Sequence, residues 1–110
     1  YYHWFFLIQD APFPETMIGN DVETYLAWIL KRWGVQEGAI TADAFAEYLR
    51  CFSRPEVIHA SCEDYRAGAG IDLEHDAADE HLRIACPLLA LWGEKAVMHA
   101  RYDVTGVWRE

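Results

Sequence analysis

The first 83 residues carry their apolar positions mostly at helical spacing. The opening stretch YYHWFFLIQ is apolar on every side, which is typical of a helix that is buried all round or that belongs to a larger body. Further on, apolar side chains fall at i, i+3, i+4, i+7, i+8 and i+11, and these are Val22, Tyr25, Leu26, Ile29, Leu30 and Trp33. This stripe predicts an amphipathic helix, and Asn20, with Glu23 three residues later, is expected to cap its start.

Three more helices are expected between residues 41 and 83. Thr41 is predicted to begin the first of them, with four side chains facing inward: Phe45, Tyr48, Leu49 and Phe52. Pro55 restarts the chain, and residues 56–67 are predicted to place Ile58, Cys62 and Tyr65 on one helix face. After a break at GAGID, residues 72–83 predict an acidic helix.

The pattern changes after residue 85. The stretch CPLLALWG, residues 86–93, is a short apolar run bounded by proline and glycine, which predicts a buried strand of a parallel sheet. Residues 102–110 are expected to form one more helix. A single strand cannot make a sheet, so we expect the chain to be a piece of a larger α/β protein. The alternative is a small α-helical protein in which residues 86–93 are a buried helical turn.

Composition narrows the classes of partner and compartment. The 110 residues suffice for one small domain, and a formal charge of −9 argues against a nucleic-acid surface. The three cysteines, Cys51, Cys62 and Cys86, form no CxxC pair, which predicts reduced thiols in a cytoplasmic protein. The opening apolar run is too short to span a bilayer and lacks the features of a signal peptide. We therefore expect neither a membrane nor a nucleic acid as a partner.

Two adjacent residues near the start could bind a small anion. His3 offers an imidazole donor and Trp4 an indole donor, both set in an apolar segment. The alternative is a core histidine bonded to a backbone carbonyl, and residue types alone favour that alternative. By the same criterion, Tyr65 and Trp33 are core residues.

The acidic stretch DLEHDAADEH raises the question of a metal site. His75 and Asp79 stand at i and i+4, but His81 would point elsewhere, and there is no HExxH motif. A solvated acidic helix is the favoured interpretation, so no metal site and no cofactor are predicted. A nucleophile elbow and a glycine-rich phosphate loop are also missing from the sequence, so this chain is not expected to catalyse a reaction by itself.

Long strings of the sequence resemble one enzyme family. HWFFLIQDAPFPE, MIGND, CEDYRAGAGIDLEHD and CPLLALWGEK are similar, in this order, to the fluoroacetate (haloacetate) dehalogenases of the α/β-hydrolase superfamily. The resemblance implies a mainly α chain: a helical cap, or lid, over residues 1–85, and over residues 86–110 the start of the returning core, with one strand and a helix. It also implies that most of the core sheet is missing and that the chain is a fragment, inactive alone.

The resemblance implies a reaction and a site. In such enzymes a core aspartate displaces halide from a haloacetate, and a core histidine activates water to split the ester and release glycolate. A histidine, the following tryptophan and a tyrosine of the cap bind the departing halide, and His3, Trp4 and Tyr65 stand at the matching positions. Trp33 matches a tryptophan of the substrate-pocket wall. The catalytic residues lie outside this chain, so none is assigned here.

Two alternatives stay open. The chain could be the cap of another α/β-hydrolase, such as an epoxide hydrolase, whose cap holds the epoxide oxygen with two tyrosines. It could instead be a non-catalytic helical module that binds a partner through its aromatic face. The expected ligands of a dehalogenase are a small haloacid and a halide ion, and a homodimer is common in the family.

Overall fold

The computed structural model describes residues 2–33 and 38–109, which fall into two compact units. The unit Tyr1–Glu80 contains six helices in its described part: α1 Tyr2–Leu7, α2 Phe13–Asn20, α3 Val22–Trp33, α4 Ala42–Phe52, α5 Pro55–Gly68 and α6 Ile71–Asp79. The unit His81–Glu110 contains the short helices α7 Val97–Arg101 and α8 Val104–Val107. Within the described ranges no residue lies in a β-strand, and the predicted mainly helical class is confirmed.

Helix α5 is the centre of the first unit, because it contacts α1, α2, α4 and α6. Its side chains Ile58 and Cys62 are buried together with Leu7 of α1 and Ile18 of α2. Partly buried side chains pack around this core, and they are Phe6, Val22, Tyr25, Phe52 and Tyr65. The predicted Ile58–Cys62–Tyr65 face of α5 therefore does point inward.

Helix α1 is not buried all round. Only Leu7 is buried, whereas Tyr2 and Phe5 are 61% and 73% exposed. The exposed apolar side chains agree with the other expectation for this segment, that it belongs to a larger body.

Helix α2 was missed by the sequence patterns, which treat Pro12 and Pro14 as the end of the preceding helix. Pro14 lies in the first turn of α2, where the missing N–H of proline would have no helical partner in any case. Pro14 is also buried, as is Ile18. The prolines therefore begin a helix as well as ending one.

The predicted stripe of α3 is confirmed for its described side chains, at residues 22–30, with Leu26 and Ile29 buried. The predicted cap is wrong, because Asn20 is the last residue of α2 and the Asp21 carboxylate accepts the hydrogen bond from the Thr24 amide, at 3.0 Å. In α4 the predicted Thr41 cap is confirmed, since its hydroxyl oxygen accepts from the Ala44 amide at 3.2 Å.

Not all side chains predicted to face inward from α4 do so. Tyr48 is 47% exposed, in contrast to the half-buried Phe45, Leu49 and Phe52. Helix α6 carries no buried residue in its nine positions, in agreement with a solvated acidic helix, but it ends at Asp79 and not at residue 83.

The predicted strand over residues 86–93 is not formed. Residues 82–93 adopt neither a helix nor a paired strand, so the alternative of a helical turn is wrong as well. A strand is held by hydrogen bonds to a neighbour, and no strand is present in the described ranges to supply them. The helix predicted over residues 102–110 is shortened to α8, which begins where the Asp103 carboxylate accepts from the Gly106 amide at 3.0 Å.

Among the helices described above, none has the length and apolar character that crossing a lipid bilayer requires.

Candidate functional site

The structure brings His3, Trp4 and Tyr65 together. The ring of Tyr65 meets the imidazole of His3 edge to face, with centroids 5.7 Å apart and planes at 89°. The indole of Trp4 packs against the same ring, with centroids 4.9 Å apart and planes at 74°. Residues from α1 and α5 that are remote in sequence thus form one aromatic group, here called the donor triad.

Local sequence explains how α5 presents this group. Tyr65 lies three residues after Cys62 on the buried helix face, so its ring emerges beside the core. Gly68, three residues further, lies under the indole of Trp4. A Cβ added at Gly68 would lie 3.4 Å from Cη2 of Trp4, so the glycine leaves the room that the indole occupies.

A cavity of about 610 Å³ lies beside the donor triad. His3 and Tyr65 line it, whereas Trp4 is absent from the lining and packs behind Tyr65 over Gly68. The other lining residues are Leu7, Tyr25, Leu26, Ile29, Leu30, Phe52, Glu56, Val57, Ala60, Ser61 and Asp64. Apolar walls with a few convergent polar groups are typical of a small-molecule site.

The titratable members of the donor triad are neutral donors near pH 7. Burial lowers the pKa of His3 from its ordinary value, which favours the uncharged imidazole with one N–H. Burial raises the pKa of Tyr65, and the neighbouring Asp64 carboxylate raises it further, so the phenol keeps its proton. Such groups can donate hydrogen bonds to an anion without carrying a full charge.

Two aromatic residues of the cavity were not predicted to belong to a site. Tyr25 of α3 and Phe52 of α4 stack with centroids 6.1 Å apart and planes at 11°, and both line the cavity. Burial raises the pKa of Tyr25 to about 12. The sequence placed both residues on apolar helix faces. The one sign that Tyr25 could belong to a site was its hydroxyl group, which lies among mainly apolar side chains.

The predicted wall residue Trp33 is the last residue of α3, but its side chain lies outside the described part of the structure. Its role in a pocket wall therefore stays a prediction.

A second polar group lies around Arg66, the residue that follows Tyr65 in α5. The guanidinium of Arg66 binds both carboxylate oxygens of Glu15, with N–O distances of 2.9 and 3.1 Å. Nδ1 of His59 lies 3.0 Å from the same carboxylate. These bonds, above all the one from Arg66, lower the pKa of Glu15 to about 2.

The Arg66 group also contains side chains that could act as metal ligands. Within the described residues, the side chains that could offer three ligand atoms within 4.8 Å are Glu15, His59 and Glu63, and His75 and Asp79 belong to no such group. The guanidinium of Arg66 bonds to both carboxylates of this set, so a cationic side chain already pairs with them. The arrangement fits an ion-pair network better than a metal site.

No protein-family model matches the chain. One curated relative, a fluoroacetate dehalogenase from a Burkholderia species, is 41% identical over 113 aligned positions, which cover 98% of this chain and 36% of the relative. The chain therefore spans little more than a third of the length of the enzyme that it matches.

Solved structures match over nearly the whole chain as well. A Salmonella enterica protein provisionally assigned as an acyltransferase is 51% identical, with a TM-score of 0.95 over 99% of this chain and 36% of its own. A Nostoc protein provisionally assigned as an α/β hydrolase is 57% identical, with a TM-score of 0.94. The match covers 99% of this chain and 38% of the Nostoc protein. A Pseudomonas aeruginosa protein provisionally assigned as an epoxide hydrolase is 37% identical, with a TM-score of 0.86. The match covers 98% of this chain and 37% of the Pseudomonas protein.

The names of these similar proteins differ: a dehalogenase, an acyltransferase, an α/β hydrolase and an epoxide hydrolase. Over nearly its whole length, the chain is similar to segments that make up 36% of a fluoroacetate dehalogenase and 38% of a protein provisionally assigned as an α/β hydrolase.

Proposed function

We propose that this chain is the cap segment of a hydrolytic haloacetate dehalogenase. In this proposal residues 1–85 form the cap and residues 86–110 begin the returning core. The observation that carries it is the donor triad, because the three rings at the positions implied by the family pack together, and two of them, His3 and Tyr65, line an apolar cavity. The identity of 41% to a fluoroacetate dehalogenase supports the same assignment.

The reaction needs what the donor triad offers. A carboxylate of the core would attack the carbon that bears the halogen, forming an ester, while the halide leaves with the bonding electron pair. Water would then cleave the ester to release glycolate and regenerate the carboxylate. The departing halide, fluoride above all, is strongly hydrated, so a dry site must replace water with fixed donors where the charge develops.

Each member of the triad has a distinct part in this proposal. The neutral imidazole of His3 and the phenol of Tyr65 border the cavity and would donate directly to the halide. The indole of Trp4 is held beside Tyr65 and would supply the third donor when the complete enzyme closes the site. Trp33 would limit the size of the substrate as part of the wall.

The compartment and ligands follow from the same assignment. A small haloacid and a halide ion would be the ligands, and a homodimer is the proposed assembly. The three cysteines are unpaired in the structure, in keeping with the proposed cytoplasmic location.

One observation favours a second candidate, an epoxide hydrolase. Tyr25 and Tyr65 both line the cavity, and two phenols are the groups that such caps use to hold an epoxide oxygen. The provisional assignment of the Pseudomonas aeruginosa protein points the same way. The adjacent His3 and Trp4 favour the dehalogenase, because an epoxide oxygen does not need this additional pair of donors.

A graft tests the proposal. Residues 1–85 would replace the matching segment of the Burkholderia relative, and fluoride release from fluoroacetate would be measured. His3→Ala would run beside it, with His75→Ala on the exposed helix α6 as the matched control. Release that falls sharply with His3→Ala alone supports a dehalogenase cap. A folded graft that opens an epoxide but splits no haloacetate would favour the second candidate.

A further inference from the structure

We propose that Arg66 is a positioning residue that sets the distance between α1 and α5 and so holds His3 and Trp4 against Tyr65. The inference rests on the proposed function, since it assigns a task to Arg66 in the binding of halide by the donor triad.

The guanidinium of Arg66 ties three segments together. Its Nε donates to the carbonyl oxygen of Gln9, two residues beyond the end of α1, at 2.9 Å. Its two terminal nitrogens hold both carboxylate oxygens of Glu15 in α2, at 2.9 and 3.1 Å. One of these nitrogens also donates to Glu63 in α5 itself, at 2.5 Å. A single side chain of α5 thereby fixes α1 and α2 at once.

The location of Arg66 connects these bonds with the donor triad. Arg66 directly follows Tyr65, so a shift of Gln9 relative to Arg66 changes the distance between α1 and the ring of Tyr65. The ion pair of Arg66 and Glu15 is also shielded from solvent, because the two side chains are only 17% and 14% exposed. A shielded and multiply bonded pair holds its geometry better than a solvated surface pair.

Helix α1 needs such an external constraint. It has only six residues, too few for a helix to be stable in isolation. Its one buried side chain is Leu7, near its end, and the Gln9 carbonyl follows two residues later. The position of His3 and Trp4 therefore depends on how this end of α1 is held.

Arginine is required for this task in a way that lysine is not. The fork of a guanidinium can bind a carboxylate with two nitrogens and a carbonyl with the third, whereas an ammonium offers one centre on a flexible stem. Arg66→Lys thus keeps the positive charge and removes the geometry. If charge alone mattered, the lysine variant would behave like the wild type.

The test uses the complete enzyme that carries this segment, with Arg66→Lys as the main variant and Glu15→Gln as a second one that leaves the arginine in place. Arg50→Lys is the matched control, because Arg50 binds Glu47 with two nitrogens, both at 2.7 Å, but its side chain is 68% exposed on α4. Bromide affinity, kcat and KM for fluoroacetate would be measured well below the melting temperature of each variant. Crystal structures of the wild type and of Arg66→Lys would give the ring distances.

Arg66→Lys is expected to weaken bromide binding and lower kcat, each by roughly 10–100-fold, as a misplacement of about 1 Å can do. KM should change little, because the proposed task of the donor triad is to bind the departing halide and not the carboxylate of the substrate. In the variant structure the centroid of Trp4 should lie further from that of Tyr65 than 4.9 Å. Arg50→Lys should match the wild type in all three measurements.

A purely structural role would give a different result. If Arg66→Lys lowers the melting temperature but keeps the wild-type bromide affinity, kcat and ring distances, the positioning role is wrong. If the wild-type enzyme itself binds no halide, the proposed function fails. The distances between the rings of the donor triad then decide whether Arg66 positions them. Distances that are unchanged in Arg66→Lys overturn this role, and longer distances support it.

Discussion

The indole of Trp4 packs edge to face against the ring of Tyr65, with centroids 4.9 Å apart. The first residue belongs to α1 and the second to α5, so the contact depends on how two helices that are remote in sequence are held together. Gly68 makes room for the indole, and Arg66 bonds to the segment that follows α1. The candidate site therefore depends on tertiary packing as well as on its own donors.

Replacing the indole should affect fluoride more than chloride. In the complete enzyme, Trp4→Phe keeps an aromatic ring against Tyr65 but removes the indole N–H. We expect fluoride release from fluoroacetate to fall by roughly 10²–10³, by analogy with the loss of an oxyanion-hole donor. Chloride release from chloroacetate should fall less, because chloride needs fewer donors. Equal losses on the two substrates, measured as kcat, would contradict a halide role.

The space under the indole gives a second prediction. Gly68→Val would push a branched side chain against Cη2 of Trp4, which a single added Cβ already approaches at 3.4 Å. We expect the displaced indole to lower fluoroacetate turnover by roughly 10-fold or more. Gly19→Ala in α2 is the control, since nothing lies within 4 Å of an added Cβ there. Equal activity of the two variants would show that the position of Trp4 does not matter.

Glu15 should make stability depend on acid pH. Its pKa is lowered from 4.5 to about 2, mainly by Arg66, so the folded state binds its proton less readily than the unfolded chain does. The stabilisation is complete above pH 4.5 and is lost as the pH falls towards 2. Glu15→Gln should therefore flatten the fall of melting temperature over this interval.

Glu47→Gln is the control for this pH dependence. The pKa of Glu47 is also lowered to about 2, chiefly by Arg50, but its side chain is 58% exposed. Solvent screens an ion pair of this kind. Removing it should therefore leave the fall of melting temperature with acid pH close to that of the wild type. Identical slopes for Glu15→Gln and the wild type would contradict the assigned contribution of Glu15.

The packing of the core gives a fourth prediction. Ile18 is 1% exposed between α1, α2 and α5, and Ile18→Ala should reduce the free energy of unfolding by about 2–5 kcal/mol. Leu73→Ala on α6 removes a side chain that is 59% exposed, and its effect should stay within about 0.5 kcal/mol. Denaturant unfolding of the complete protein measures the free energy of unfolding of both variants. Similar decreases for the two would be inconsistent with the described core.

The sequence predicted those elements that depend on local patterns. The stripe of α3, the Thr41 cap of α4 and the inward face of α5 follow from spacing and cap chemistry, and the structure confirms them. Helix α2 was missed because proline both ends and begins helices, and only burial of Pro14 and Ile18 decides between the two roles.

Features that depend on distant contacts could not be predicted in the same way. The predicted strand over residues 86–93 needs a hydrogen-bonding neighbour, which periodicity cannot supply. The place of Tyr25 in the cavity depends on its stacking with Phe52 from another helix. The meeting of His3, Trp4 and Tyr65 was implied by the family resemblance alone, since their spacing carries no sign of it.

The most direct test of the halide site is anomalous diffraction from crystals of the complete enzyme soaked in bromide, with His3→Ala crystals treated alike. An anomalous peak within hydrogen-bonding distance of His3, Trp4 and Tyr65, lost or weakened in the variant, is the predicted result. A well-ordered wild-type site with no peak beside these three residues would contradict the assignment of the donor triad to halide.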